Sequence, residues 1–393
     1  MKALFFCIMI LCSTSFVSFQ VAAEDIISRP LQLIKQMKPS ALKEKLLSCR
    51  GQPNTKTSFS IGHRGAPLQY PEHTVESYIA AANMGAGILE CDVTFTKDKV
   101  LVCRHSQSDL HETTDILASS LSNTCAVPFQ AGLNGENANV QCHTSDITLA
   151  EFRSLKGKMG KVNKKAQTIK EYLAENNGAG QVITHSESIE LFKSLNVKFI
   201  PELKRPVVDM PYDGFSQEDY AQKLVDEYKA ADVPAEDVYL QSFSIQDILY
   251  WLKNEPEFAK QAVYLDGRFR KDSFDISNPD TFEPSMGELK KEGLNFIAPP
   301  LWMLVQSKEG EIIPSPYANE AKKAGLKIIA WTVERSGSLE NGGGWYYQTI
   351  SDLIDNDGQV FELLDVLAQD VGVVAVFSDW PETTTYYANC MKL

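Results

Sequence analysis

Three short stretches of this 393-residue chain carry ionisable side chains at spacings that could act together. The first is Ile61-Gly62-His63-Arg64-Gly65-Ala66, an apolar run ending on a histidine and an arginine, with Gly65 free to take a tight turn. The second is Leu89-Glu90-Cys91-Asp92-Val93. Side chains alternate along a strand, so Glu90 and Asp92 share a face. Two carboxylates inside an apolar run repel and desolvate each other unless a cation lies between them. A hard divalent cation meets that need, and so would an ion pair with arginine or lysine. The third stretch, Pro201-Glu202-Leu203-Lys204, adds a third carboxylate and a lysine on the same face. A phosphate ester bound to a metal fits this inventory. Glu90, Asp92 and Glu202 are the candidate ligands, Arg64 and Lys204 the candidate phosphate clamps, and histidines move protons. In Pro71-Glu72-His73-Thr74, helix capping accounts for Glu72 and His73 as well as function does.

A second histidine reaches the group through a hairpin. Val100–Arg104 runs apolar up to His105, only a few residues after Phe95. A parallel crossover needs a dozen or more residues, so this run returns antiparallel. A two-residue turn at Lys97-Asp98 sets Glu90 opposite His105 and Asp92 opposite Cys103. Cys91 then lies on the face away from Cys103, which argues against a bridge between them.

The elements that must position these residues alternate between short β-branched runs and helical patterns. Eight runs qualify: 59–62, 88–95, 197–203, 238–243, 261–265, 295–301, 326–333 and 373–378. Helical candidates between them include 75–84, 217–231, 245–253, 285–292, 316–324 and 353–367. Eight strand–helix repeats predict an α/β chain folded as a closed (β/α)8 TIM barrel, whose strand C-termini carry the chemistry. The doubly wound alternative lacks its GxGxxG after the first strand. The stretch 106–196 breaks the rhythm and reads as an insertion over the barrel mouth, with a helix capped by Asp146 over 146–155. The run Pro299–Leu304 reads as strand end and core rather than as an exposed apolar loop.

Composition sets outer limits. The chain is 44% hydrophobic with a net charge of −13, which suits a globular fold and excludes a non-specific nucleic-acid binder. Lys2, the apolar run from Ala3 and the Val21-Ala22-Ala23 end predict a secretory signal over residues 1–23. No other segment is long and apolar enough to span a membrane, so 24–393 is expected to be one exported domain, periplasmic or extracellular. Six cysteines lie beyond the signal. Cys125 and Cys142 bracket a polar loop and are expected to pair, and Cys49 with Cys390 is suggested by their places near the chain ends.

These motifs resemble the glycerophosphodiester phosphodiesterase family. The resemblance rests on His63-Arg64-Gly65-Ala66, Pro71-Glu72-His73-Thr74, Leu89-Glu90-Cys91-Asp92-Val93, Thr96-Lys97-Asp98, His105 and Glu202-Leu203-Lys204. Gln241-Ser242-Phe243, Ala330-Trp331-Thr332-Val333 and Ser378-Asp379-Trp380-Pro381 match more weakly. It implies a barrel that hydrolyses glycerophosphodiesters to glycerol 3-phosphate and an alcohol. Ca²⁺ or Mg²⁺ would lie on Glu90, Asp92 and Glu202, with His63 and His105 as acid and base. Arg64 and Lys204 would hold the phosphate and Trp331 the glycerol. The attacking oxygen is water or the substrate's own hydroxyl. The chain departs from the family pattern in its cysteine-bracketed insertion, in Ser106 after the histidine and in Glu334 after Trp-Thr-Val. A phospholipase-D-like enzyme acting on lipid phosphodiesters and a non-catalytic carbohydrate-binding barrel are the alternatives.

Overall fold

The computed structural model describes residues 28–173 and 179–393, so the signal read over 1–23 lies outside the described residues. All eight apolar runs form strands. They are β1 (Thr57–Gly62), β2 (Ala86–Leu89, resuming as Asp92–Phe95), β3 (Lys198–Phe199, resuming as Glu202–Leu203) and β4 (Gln241–Ser242). They continue as β5 (Val263–Leu265), β6 (Phe296–Ala298), β7 (Lys327–Val333) and β8 (Ala375–Ser378). Each pairs in parallel with the next, and β8 pairs with β1. The ladder therefore closes into a (β/α)8 barrel.

Alternation along the strands explains the two layers of core. Ile61, Ile88, Val263, Leu265, Phe296, Ile329 and Phe377 fill the barrel interior. Residues of opposite parity, such as Tyr264, Ile297 and Val376, join the core outside it with the helices. The helices begin where the sequence supplies caps. Thr74, Thr184, Ser216, Ser244, Ser285 and Ser315 each accept a backbone N–H from the first turn of the helix that follows. Leu301, Met303 and Leu304 are fully buried, so that stretch is core as expected.

The hairpin differs from the expectation in a way that matters. Leu101–Cys103 pairs antiparallel with Asp92–Phe95, but Val93 lies opposite Cys103 and Phe95 opposite Leu101. The turn holds three residues, closed by Thr96 N–H to Val100 O at 3.0 Å and by Val100 N–H to Thr96 Oγ1 at 3.1 Å, with Lys99 left-handed at φ 61°. One extra turn residue shifts the register by one and flips every side chain's face. Cys91 and Cys103 thus share a face and are bridged, with Cα atoms 5.2 Å apart, which corrects the sequence expectation. Asp92 now neighbours Arg104, whose N–H donates to its carbonyl at 2.8 Å. The bridges Cys125–Cys142 and Cys49–Cys390 are present as expected.

The stretch after His105 folds over its own small core, including Leu110, Ile116, Phe152 and Tyr172. It contains two antiparallel pairs, Val127–Gln130 with Asn139–Gln141 and Lys156–Gly157 with Gly180–Gln181. The capped helix is Leu149–Phe152, and its cap is Thr148 in a reciprocal box with Glu151, not Asp146. The helix His185–Ser194, inside the span read as insertion, packs on the helices Val75–Asn83 and Gln217–Ala230 as the ordinary helix between β2 and β3.

Candidate active site

The C-terminal ends of the strands surround a cavity of about 890 Å³. His63, Arg64, Glu90, Asp92, His105, Glu202 and Lys204 form its polar side, and Phe243, Phe269, Trp331, Trp345 and Tyr346 its aromatic side. His63 and Arg64 follow β1 at once. Arg64 turns the chain at φ 56°, and Gly65 follows at φ 93° with its Cα against Ser77, where a Cβ would come within 2.3 Å of the hydroxyl. The glycine is thus required both by conformation and by the close approach of the next helix. The Arg64 N–H donates to Glu90 Oε2 at 3.0 Å, so the same turn fixes a carboxylate of β2.

His63 is held from behind. Its Nδ1 lies 2.5 Å from Asp379 Oδ1, and Asp379 Oδ2 accepts from Arg335 Nη1 at 2.8 Å. Asp379 follows β8, which the closed ladder brings beside β1. Burial pushes Asp379 up, but His63, Arg335 and Arg64 outweigh it and keep the carboxyl ionised. Nδ1 therefore carries the proton, and Nε2 is free toward the cavity, 3.8 Å from Glu90. Burial also lowers the imidazole to about 4 against the pull of Asp379, so His63 is neutral at pH 7. His105 is held well below its ordinary value by burial and by Arg64 and Lys204. It lies with Glu72 and Asp109 in a cluster whose candidate ligand atoms are within 4.8 Å of one another.

The three carboxylates converge. Ligand atoms of Glu90, Asp92 and Glu202 lie within 4.8 Å of one another, and all three residues are buried. The register pairs Glu202 directly with Asp92 across the β2–β3 ladder. Lys204 Nζ is 2.6 Å from Glu202 and 3.6 Å from Asp92. His73 Nε2 is 2.8 Å from Asp92 Oδ2, while Asp92 Oδ1 is buried without a hydrogen-bond partner. Burial and the neighbouring carboxylates raise Glu90 well above the carboxylate range, and burial raises Glu202 to about 8 despite Lys204. Burial pushes Asp92 the same way, but Lys204 and His73 outweigh it and hold it low. A buried carboxylate oxygen without a hydrogen-bond partner, beside two carboxyls raised by burial and by neighbouring carboxylates, fits a divalent cation with oxygen ligands. These acidic groups could hold a metal ion.

The model of the glycerophosphoryl diester phosphodiesterase family matches residues 63–383. The chain belongs to that family. An extracellular protein of Arthroderma benhamiae is 41% identical over 251 residues, covering 59% of this chain and 98% of that protein. A glycerophosphodiester phosphodiesterase of Arabidopsis thaliana is 26% identical over 57% of this chain, an alignment that spans only 58% of the plant protein. The crystal structure of a glycerophosphodiester phosphodiesterase from Parabacteroides distasonis superposes with a TM-score of 0.51 at 19% identity, covering 87% of this chain and all of that one. At that identity the likeness establishes the barrel alone.

Every site residue singled out from the sequence lines this one phosphodiesterase-family cavity: His63, His105, Arg64, Lys204, Trp331, Glu90, Asp92 and Glu202. Among the described residues, the insertion adds only Ser106 to the lining. Four further residues were not assigned from the sequence. Asp379 orients His63, and its signal was a carboxylate directly after the last strand. His73, left open between cap and function, holds Asp92 and is itself held by Tyr78 OH at 2.8 Å. Gln241 of β4 donates to Glu90 Oε1 at 2.9 Å. Arg104 is fully buried and donates to the carbonyls of Glu72 and His73 at 2.7 and 2.9 Å, which ties the hairpin to the β1 loop.

Proposed function

We propose that this chain hydrolyses glycerophosphodiesters to glycerol 3-phosphate and an alcohol, with Ca²⁺ or Mg²⁺ on Glu90, Asp92 and Glu202. The reading is carried by the convergence of two imidazoles, three buried carboxylates and the cations Arg64 and Lys204 in the cavity of a phosphodiesterase-family barrel. Glu90, Asp92 and Glu202 would hold the divalent cation, which would supply Lewis-acid polarisation of the phosphoryl group. Arg64 and Lys204 hold the remaining phosphoryl oxygens by charge-assisted hydrogen bonds. Neutral His63, its Nδ1 proton directed to Asp379, takes a proton from the attacking oxygen at Nε2. His105 gives a proton to the leaving alkoxide. Burial holds this imidazole low, with Arg64 and Lys204 adding to it; the phosphodiester charge offsets those two cations, and Asp92 and Glu72 favour the protonated form. Trp331, its indole N–H fixed on the Ala298 carbonyl at 2.8 Å, gives the glycerol carbons an apolar wall. Three disulfides and an extracellular relative support export after removal of residues 1–23.

The test is a substrate panel of glycerophosphocholine, glycerophosphoethanolamine, glycerophosphoglycerol and intact phospholipid, each with and without chelator. Release of glycerol 3-phosphate from soluble diesters, lost with chelator and restored by cation, is expected. Turnover of phospholipid alone would overturn the reading in favour of a lipid phosphodiesterase.

A further inference from the structure

One guanidinium in the cavity lies outside the ion pairs that surround the carboxylates. Arg64 is paired with Glu72 at 3.0 Å and Lys204 with Glu202 at 2.6 Å. Arg270, which follows β5, lines the same cavity and, among the described residues, has no carboxylate partner. Its guanidinium lies 4.7 Å from the Phe243 ring centroid and 5.1 Å from that of Phe269. Two aromatic faces hold it while its N–H donors stay free for a ligand. Asp247 lines the same cavity and is engaged by Ser242 Oγ at 2.8 Å and Gln217 Nε2 at 3.1 Å, and it forms no ion pair with Arg270 among the described residues. A cavity of about 890 Å³ also has room for a group well beyond one glycerol phosphate, since pockets of roughly 300–1,000 Å³ take drug-sized molecules.

We propose that Arg270 is a second anion subsite, and that the preferred substrates are phosphodiesters bearing a further phosphate or carboxylate on one of their alcohols. This rests on the hydrolase reading above and adds the class of substrate to it. Aromatic walls alone would favour a quaternary ammonium group, but a fixed guanidinium on those rings repels one.

The experiment compares kcat/KM for sn-glycero-3-phosphoglycerol phosphate, sn-glycero-3-phosphoglycerol and sn-glycero-3-phosphocholine in the wild-type chain, Arg270→Gln and Arg270→Lys. Arg270 is exposed, and an exposed charge contact is worth at most about fivefold, so the wild type should favour the second phosphate by up to about that factor at low salt. The ratio should fall toward one in Arg270→Gln, persist in part in Arg270→Lys and shrink with added salt. An unchanged ratio in Arg270→Gln, or a wild-type preference for the choline ester, overturns the proposal. Calorimetric binding of the same three diesters to the full chain separates it from the hydrolase reading. If no diester is turned over, that reading fails, while a tighter grip on the second phosphate that Arg270→Gln abolishes still supports the subsite. Equal affinities overturn it.

Discussion

Asp379 and the carboxyls of Glu90 and Glu202 act on their neighbours in opposite senses, and each makes a measurable difference. Asp379→Asn keeps the shape but can present its amide to His63 Nδ1, which would place the proton on Nε2, where the base must be free. It should lower turnover by about 10²-fold or more with little change in metal binding, read from kcat against cation titration. His63→Ala and His105→Ala should each cost at least about 10², and a p-nitrophenyl ester, whose leaving group needs no proton, should rescue His105→Ala alone. Rescue of His63→Ala instead would exchange the two roles. Burial raises Glu202 to about 8 and raises Glu90 in the same direction, so a cation binding there competes with protons on these carboxyls. Cation affinity should therefore strengthen as pH climbs toward about 8 and be lost in Glu202→Gln, which calorimetry across pH would check. These residues were legible because period-two alternation and strand ends are written in the sequence. Asp379, His73 and Gln241 were not, since their partners are set by ring closure and by the left-handed turns at Arg64 and His73.

The hairpin shows how one residue of turn decides an element's chemistry. Thr96-Lys97-Asp98-Lys99 contains no glycine or asparagine, so nothing in it marks Lys99 as the left-handed position of a three-residue turn. With the shorter turn the cysteines diverge; with the longer one they meet, and Arg104 instead of Cys103 takes the place beside Asp92. His105 still arrives at the cavity because it lies beyond the paired segment. The Cys91–Cys103 bridge closes a loop with a separation of 12 residues, for which the chain-entropy relation gives about 3 kcal/mol. Cys91→Ala with Cys103→Ala should lose roughly that stability in denaturant unfolding, and an unchanged midpoint would mean that the ladder alone sets the hairpin. The helix His185–Ser194 escaped notice for a different reason. Only the two-residue strand Gly180–Gln181 and the buried Val182 and Ile183 precede it, too short a run to read as a barrel strand, so periodicity does not mark where the barrel resumes.

At the scale of the whole molecule, the N-terminal segment straps the seam where the last strands meet the first. The helix Arg29–Gln36 packs on the helices Gln359–Asp365 and Pro381–Met391, and Cys49–Cys390 fastens the segment's far end to the chain's C-terminus. Its near end reaches the C-terminal end of β7. Arg29 Nε lies 3.0 Å from both oxygens of Glu334, and its guanidinium lies 5.0 Å over the Trp380 ring. Glu334 follows β7, accepts from Thr383 as well, and precedes Arg335, which holds Asp379 against His63. The acidic residue that departs from the family pattern thus has a cation brought to it by the N-terminal strap. Its side chain is 4% exposed and that of Arg29 30%, so removing the arginine leaves a buried carboxylate without its cation, held by Thr383. Losing one partner of a fully buried pair costs 3–5 kcal/mol; discounted for the arginine's exposure, Arg29→Gln should cost about 2 kcal/mol. Because Glu334 and Arg335 are adjacent, the variant should also lower kcat through His63 while leaving KM nearly unchanged. Thermal unfolding and steady-state kinetics on the same preparation check both. A loss of stability with kcat intact would make the strap a structural fastening only, without influence on the Asp379–His63 pair.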